Sequence, residues 1–188
     1  MADNNKKEIT RKEHLQCLWE LYTKLRTDLA PSEFKIYGRC IGTDLFDLTN
    51  RHTIFTGYES KASLEYRKND PSYKPTKEHF IPCQFAGEFI VHHIQVYDDI
   101  NLKYFTLYAN LFRQVHLVTR EENQKLKYHQ NPARFIVPEI CYEEVGIELV
   151  KTTDNAEIIH LRDIAPIKVL KHVYGDRYKK VHKYMLTR

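Results

Sequence analysis

Long apolar stretches are missing from this sequence of 188 residues. Its apolar stretches, such as positions 89–94 and 158–159, are far shorter than the roughly 20 residues that a membrane-spanning helix needs. The first residues, Met-Ala-Asp-Asn-Asn-Lys-Lys, also lack the apolar core of a secretory signal. We therefore expect a soluble, cytoplasmic protein with no membrane partner.

Cysteines are few and widely separated. The sequence contains four, at Cys17, Cys40, Cys83 and Cys141, and they form no Cys-x-x-Cys pair. This spacing argues against a structural zinc knot and against a dense disulfide framework. We expect reduced thiols, three of them in the core.

Motifs of several common enzyme classes are also absent. The sequence has no glycine-rich phosphate loop and no Gly-x-Ser-x-Gly elbow. Its ten histidines include no pair four residues apart with the carboxylate that metalloproteases place beside them. Nucleotide hydrolases with a phosphate loop, α/β-hydrolases and zinc proteases are therefore disfavoured.

Positive charge is concentrated at the carboxyl-terminal end. The whole chain has 29 Lys and Arg against 25 Asp and Glu, yet residues 168–188 hold seven basic residues and one acidic residue. We interpret 165–188 as a basic segment that contacts nucleic acid, because cations neutralise phosphates and its tyrosines can stack on bases. A solvated helical surface is the simpler alternative. The candidate contacts are Lys171, Arg177, Lys179, Lys180 and Lys183.

The length and the hydrophobic pattern predict one α+β domain over 1–188, with more helix than strand. Apolar residues at three- and four-residue steps predict a first helix that Pro31 ends. Residues 34–43, with two glycines, suit a short strand or tight turn. Ser60 is the expected N-cap of a second helix. Further predictions are strand or helix over 84–96, extended structure over 135–150, and helix over 165–184 with an interruption near Gly175.

The most informative segment is Glu78-His79-x-x-Pro82, an acidic residue next to a histidine with a proline three residues later. Phosphodiester hydrolysis needs a water activated by a base whose pKa lies near neutrality, and an imidazole meets this need. In an extended backbone, Glu78 and His79 point to opposite sides. One of these neighbours can then bind a metal ion while the other addresses water.

A strand that leads directly into a helix comes later in the chain. Val115-His116-Leu117-Val118 alternates in polarity and predicts a strand, and Thr119 with Glu122 has the spacing of a capping box. Together with the earlier pattern, this passage resembles the HNH, or ββα-metal, nuclease motif of phage and restriction endonucleases. The resemblance covers 75–130, with 84–114 as an insertion between the two strands.

The resemblance implies roles for particular residues. His79 is the implied general base and Glu78 the implied ligand of Mg²⁺ or Mn²⁺. Asn123, in the later helix, either joins Glu78 as a hard oxygen ligand or holds the histidine-bearing loop. Lys127, one turn after Asn123, is expected to meet a phosphate. The third ligand is left open among Asn123, His129 and Gln130.

The function implied by the resemblance is metal-dependent endonuclease cleavage of DNA, with RNA as an open alternative substrate. Cutting both strands at a symmetric site would suit a homodimer. A second nuclease pattern is present in Glu59-Ser60-Lys61, with Asp47 twelve residues earlier, which matches a carboxylate and Glu-x-Lys spacing. A non-catalytic nucleic-acid-binding or interaction module is the alternative from a different class, and it would need only the basic segment.

Overall fold

A small mixed sheet surrounded by helices builds the fold. The computed structural model describes residues 10–25, 31–96, 101–129, 131 and 134–186. Within these residues helix exceeds strand and one hydrophobic core is shared, so the α+β prediction is confirmed. The helices are α1 (Arg11–Leu25), α2 (Pro31–Arg51), α3 (Lys61–Asn69), α4 (Cys83–Val96), α5 (Leu102–Phe112), α6 (Arg120–Leu126), α7 (Pro138–Glu144), α8 (Leu161–Ile164), α9 (Ile167–Tyr174) and α10 (Tyr178–Leu186).

The strands are β1 (Ile54–Ser60), β2 (Thr76–His79), β3 (Gln114–Val118) and β4 (Leu149–Lys151). They lie in the order β2, β3, β1, β4. β3 runs parallel to β1, while the outer strands β2 and β4 run antiparallel to their neighbours. Since β2 pairs directly with β3 and α6 begins just after β3, the expected order of strand, strand and helix is present. The insertion expected over 84–114 consists mainly of α4 and α5.

An aromatic cluster connects α4 with α5 and forms the centre of the core. Its members are buried, and the ring centroids of Phe89 and Tyr108 lie 5.2 Å apart. Each buried phenylalanine contributes about 2 kcal/mol of transfer free energy to folding. The segment that separates β2 from β3 in sequence is therefore a main part of the core. The cluster consists of Phe85, Phe89, Phe105, Tyr108 and Phe112.

Helix α2 overturns one sequence prediction. Residues 34–43 are not a strand or a tight turn, because they lie inside this helix. A Cβ placed on Gly42 would lie 3.5 Å from the Cα of Gly87 in α4, so the two glycines let the helices approach closely. Tertiary packing here outweighs the low helix propensity of glycine. Pro31 is the first residue of α2, a position at which proline loses no hydrogen bond.

Two helix starts predicted from polar caps are confirmed. The Ser60 side chain accepts a hydrogen bond from the backbone N–H of Ser63 at 3.1 Å, at the start of α3. Thr119 and Glu122 form the reciprocal hydrogen bonds of a capping box at the start of α6. Both predictions depend on residues within one helical turn, so the sequence alone is enough to predict these helix starts.

The carboxyl-terminal third confirms one prediction and corrects another. Gly175, with a φ of 51°, separates α9 from α10, as expected for an interrupted helical stretch over 165–184. Residues 135–150 are only partly extended, because Pro138 occupies the first turn of α7. Residues 84–96, which suited strand or helix, belong to α4.

The burial of the cysteines differs from the sequence prediction. All four cysteines are free thiols, but Cys141 is the one buried thiol among them, so the expectation of three core cysteines is wrong. Cys17 and Cys40 are exposed, and Cys83 is half-buried.

Within the described ranges, no helix combines the length and the apolar composition of a membrane span.

Candidate functional site

Glu78 and His79 lie at the end of β2, next to the central strand β3. Glu78 is paired directly with His116, and His79 with Val115. Opposed residues of an antiparallel pair share a face of the sheet, so Glu78 and His79 belong to opposite faces. Glu78 is buried, with 6% of its surface exposed, and His79 is half-buried.

Both residues nevertheless line one cleft. Its walls are mainly apolar, and its titratable side chains include Glu78, His79 and His129. An apolar wall lowers the local dielectric and strengthens the electrostatic interactions of these groups. The cleft therefore combines the predicted general base, His79, and the predicted metal ligand, Glu78, with one of the alternatives for the third ligand. The full lining is Glu78, His79, Phe80, Pro82, Leu126, His129, Phe135, Pro138, Cys141 and Tyr142.

Asn123 lies on α6, three residues before Leu126, whose side chain lines the cleft. Residues three apart share a helix face, so Asn123 is on the side of α6 that carries Leu126. Its Oδ1 atom is buried and has no hydrogen-bond partner in the described part of the chain. A buried acceptor left without a partner costs about 1–3 kcal/mol. This oxygen is therefore a candidate atom for contact with a bound ligand.

The start of α6 is held in place by one carboxylate. Glu122 accepts hydrogen bonds from the backbone N–H of Thr119 at 2.8 Å and from the Ser60 hydroxyl at 2.5 Å. Ser60 is both the end of β1 and the N-cap of α3. Glu122 thus joins the starts of α3 and α6 at the carboxyl ends of the parallel strands, and α6 also contacts β2.

His129 follows α6 and contacts the end of α7. Its Nδ1 atom lies 3.4 Å from Oε2 of Glu144, and the Nζ atom of Lys180 in α10 lies 3.6 Å from Oε1 of the same carboxylate. Histidines that bind metals commonly have their second ring nitrogen held by a carboxylate in this way. Gln130, the other alternative for the third ligand, lies outside the described residues.

The basic segment reaches the edge of the cleft. Arg177 donates a hydrogen bond from Nη1 to the backbone carbonyl of Phe135 at 2.7 Å, and Phe135 lines the cleft. With the Lys180–Glu144 pair, this bond joins the segment to the cleft at two points. Arg177 is half-buried, whereas the other predicted contacts are exposed. These exposed side chains are Lys127, Lys171, Lys179, Lys180 and Lys183.

The buried side chain of His116 lies opposite Glu78 on the neighbouring strand β3, and its role beside the cleft was not predicted from the sequence. The Nδ1 atom of His116 lies 2.6 Å from Oγ1 of Thr56, and the His116 ring packs 5.6 Å from the ring of Tyr142. Burial lowers the pKa of His116 to about 3, so the ring is neutral at physiological pH. Burial, followed by the charge of Glu78, raises the pKa of Tyr142. Tyr142 comes from α7, so no local pattern links it to β2.

Glu59 of the alternative nuclease pattern has hydrogen-bond partners of its own. Its fully buried carboxylate accepts hydrogen bonds from the Ser63 hydroxyl at 2.7 Å and from the Arg67 guanidinium. Lys61 and Asp47 form surface ion pairs elsewhere, at 3.3 Å and 2.9 Å. The Glu-x-Lys pattern therefore has a structural explanation, since Glu59 joins β1 to α3.

Few side chains at or near the cleft could bind a metal ion. Across the described ranges, no three His, Cys, Asp or Glu side chains form a group that could hold a metal ion. Mg²⁺ is usually bound by one or two carboxylates together with waters and substrate phosphates. The carboxylate of Glu78, which lines the cleft, and the unpartnered Oδ1 of Asn123, which lies on α6 and not among the residues that line the cleft, are oxygen atoms of this chemical kind. A Mg²⁺ or Mn²⁺ ion that substrate and water complete therefore suits the chemistry of these residues better than a cage built from protein alone.

Comparisons with other proteins assign the chain to no family. No family model matches it, and neither curated proteins nor solved structures give a significant match. A function for this protein therefore has to follow from the chemistry of the cleft.

Proposed function

We propose that this protein is a metal-dependent endonuclease of the HNH-like class that hydrolyses phosphodiester bonds in intracellular DNA. The active site is the cleft at the end of β2. The observation that carries the proposal is that Glu78, His79 and His129 line one cleft of a unit with the order strand, strand and helix, beside an exposed basic segment. A base, an acidic ligand and nearby cations are what hydrolysis of a phosphate ester requires.

His79 acts as the general base in this proposal. Its imidazole accepts a proton from the attacking water, whose oxygen forms a new bond to phosphorus while the bond from phosphorus to the leaving oxygen breaks. An imidazole suits this step because its ordinary pKa lies near neutrality. The apolar side chains of Phe80 and Pro138 in the cleft wall limit the access of bulk water to the site.

Glu78 and Asn123 are the proposed ligands of Mg²⁺ or Mn²⁺, with His129 as the third. A bound divalent ion would stabilise the negative charge that develops on the phosphate and on the leaving oxygen. Glu144 holds Nδ1 of His129, which leaves Nε2 as the nitrogen for coordination. The alternative role for Asn123, that of holding the loop of His79, needs no metal contact from its side chain.

The basic segment supplies affinity for DNA. Exposed lysines neutralise phosphates and release counterions, so binding should weaken steeply with salt. Lys180 and Arg177 connect this segment to the edge of the cleft, which places its charge next to the proposed active site. Cleavage of both strands of a duplex would still require a second active site, which a homodimer provides.

Cleavage of supercoiled and linear DNA by the purified protein tests the proposal. We expect cutting in Mg²⁺ or Mn²⁺, none in EDTA, and a loss of at least about 100-fold in the rate for Glu78→Gln, a loss typical of removing a ligand that stabilises transition-state charge. Glu88→Gln is the matched control, because Glu88 is exposed on α4 and does not line the cleft. Equal cutting by Glu78→Gln and Glu88→Gln would contradict the proposed ligand.

A non-catalytic nucleic-acid-binding module is the second candidate function. The observation in its favour is the set of exposed lysines on α9 and α10, which would bind phosphates without any active site. Salt-sensitive binding of DNA with no cutting in any metal would select this candidate. Parallel assays with RNA strands of the same sequence would show whether RNA is the substrate instead.

A further inference from the structure

Three side chains form a stack at the rim of the cleft. The Cζ atom of Arg134 lies 4.1 Å from the ring centroid of Tyr128, and the Tyr128 and His129 rings are 5.2 Å apart at 79°. Tyr128 is 61% exposed, which is unusual for an aromatic ring, and Arg134 is also exposed. His129 lines the cleft, so the stack extends from the cleft to the solvent.

The fold gains little from this stack. An exposed cation–π contact contributes about 0.5–1 kcal/mol, less than a buried tyrosine would. The side chain of Arg134 makes no ion pair and no hydrogen bond in the described part of the chain. A guanidinium that stacks on a ring keeps its planar set of N–H donors available, and this set matches the geometry of phosphate oxygens.

The surroundings of the stack are suited to a polyanion. Lys127 is exposed immediately before Tyr128 in the chain. The carboxylate of Glu144 contacts His129 on one side and Lys180 on the other. An exposed ring between cations is the arrangement with which proteins bind single strands of nucleic acid, by stacking on bases and pairing with phosphates.

We propose that Tyr128 and Arg134 form a nucleotide platform that positions a DNA strand at the cleft. The ring of Tyr128 stacks on one nucleotide, and Arg134 binds the adjoining phosphate. The inference rests on the proposed nuclease function and deepens it, because it names side chains to which the resemblance implies no role and which hold the strand next to His79. Neither residue takes part in bond breaking, so both are positioning residues.

Binding of a fluorescein-labelled single DNA strand tests the platform. The parent protein carries His79→Ala, so that the strand is not cut, and fluorescence anisotropy gives the Kd. Tyr128→Ala should raise the Kd by about 10-fold, as loss of one stacked base does. Tyr128→Phe should bind like the parent, because it keeps the ring. Tyr104→Ala is the matched control, since Tyr104 is also an exposed tyrosine, 44% exposed on α5.

Salt dependence separates the two side chains. Arg134→Ala should reduce the slope of log Kd against log salt by about one, since one phosphate contact is lost. Arg134→Lys should retain that slope, because it retains the charge. Tyr128→Ala should lower the affinity at every salt concentration and leave the slope unchanged. Arg51→Ala is the control, because it removes a different exposed arginine, on α2. It should change neither the affinity nor the slope.

The outcomes distinguish the platform from the nuclease proposal. A parent protein that binds DNA equally well with Tyr128→Ala and Arg134→Ala would overturn the platform alone. A parent that binds no single DNA strand would overturn the platform, whereas the cleavage of supercoiled DNA by the wild type decides the nuclease proposal separately. Tighter binding of an RNA strand of the same sequence, lost in Tyr128→Ala, would overturn DNA as the occupant. Loss of affinity in Tyr128→Phe, with unchanged thermal unfolding, would also contradict the stacking contact.

Discussion

The Nδ1 atom of His129 lies 3.4 Å from Oε2 of Glu144, at the end of the cleft that holds Glu78 and His79. The same carboxylate meets Lys180 of α10. One side chain of α7 therefore joins a candidate metal ligand to the basic segment. Glu144 has a role in metal binding if His129 is a ligand, and only a surface role if it is not.

Replacement of Glu144 tests this relationship. Glu144→Ala should raise the Mg²⁺ concentration needed for half-maximal cleavage by about 10-fold, because carboxylates that hold a ligating histidine contribute 10–100-fold to metal affinity. A metal titration of the cleavage rate measures the change. Glu88→Ala, on the exposed side of α4, is the control and should behave like the wild type. An unchanged metal requirement in Glu144→Ala would remove His129 from the ligand set.

Arg67 should contribute far more to stability than a comparable surface arginine. It pairs with the fully buried carboxylate of Glu59, whereas Arg51 pairs with Asp47 on the exposed surface of α2. Arg67→Ala leaves a buried charge poorly compensated and should lower the free energy of unfolding by about 2 kcal/mol. Arg51→Ala should cost about 0.5 kcal/mol or less. Urea denaturation of both variants measures the difference, and equal small losses would contradict the structural role of Glu59.

Stability should fall as the pH drops below neutral. Burial lowers the pKa of His93 to about 4 and that of His116 to about 3. The unfolded chain titrates its histidines near pH 6.5, so below that pH the unfolded state binds more protons than the folded state. The stabilising effect of each neutral histidine is complete above about pH 6.5 and is lost as the pH falls towards its folded pKa.

The expected slope for each of the two histidines rises from about 0.7 kcal/mol per pH unit at pH 6.5, where half of the unfolded state is protonated, to about 1.3 kcal/mol per pH unit near pH 5. Urea denaturation across this range measures it. His93→Gln should remove about half of the combined slope, whatever its stability at pH 7. His182→Gln, at an exposed position on α10, should leave the slope unchanged. A slope that His93→Gln does not alter would show that His93 is protonated in the folded state.

Features that depend on neighbours in sequence were predictable. Ser60 and Thr119 each cap a helix through a residue three positions later, so both helix starts follow from local spacing. The alternation at 115–118 identified β3 for the same reason. The Glu78-His79 pattern is also local, and it predicts a site at the strand that ends in the cleft.

Features that depend on distant contacts were not predictable. Gly42 lies inside a helix because Gly87 packs against it from α4, and no neighbour in sequence reports that contact. Tyr142 of α7 packs on His116 of β3, and the partner of His129 is Glu144. Such pairings require the three-dimensional fold, which a single sequence does not supply.

Cleavage of supercoiled DNA in Mg²⁺ by His79→Ala tests the central claim most directly. We predict a loss of at least about 100-fold in the cleavage rate, typical of removing a general base, with thermal unfolding and DNA affinity close to those of the wild type. Glu88→Ala, at an exposed residue of α4 outside the cleft, should cut at the wild-type rate. Cutting that persists in His79→Ala and disappears in Lys61→Ala would contradict the account and move the active site to the Glu59-Ser60-Lys61 segment.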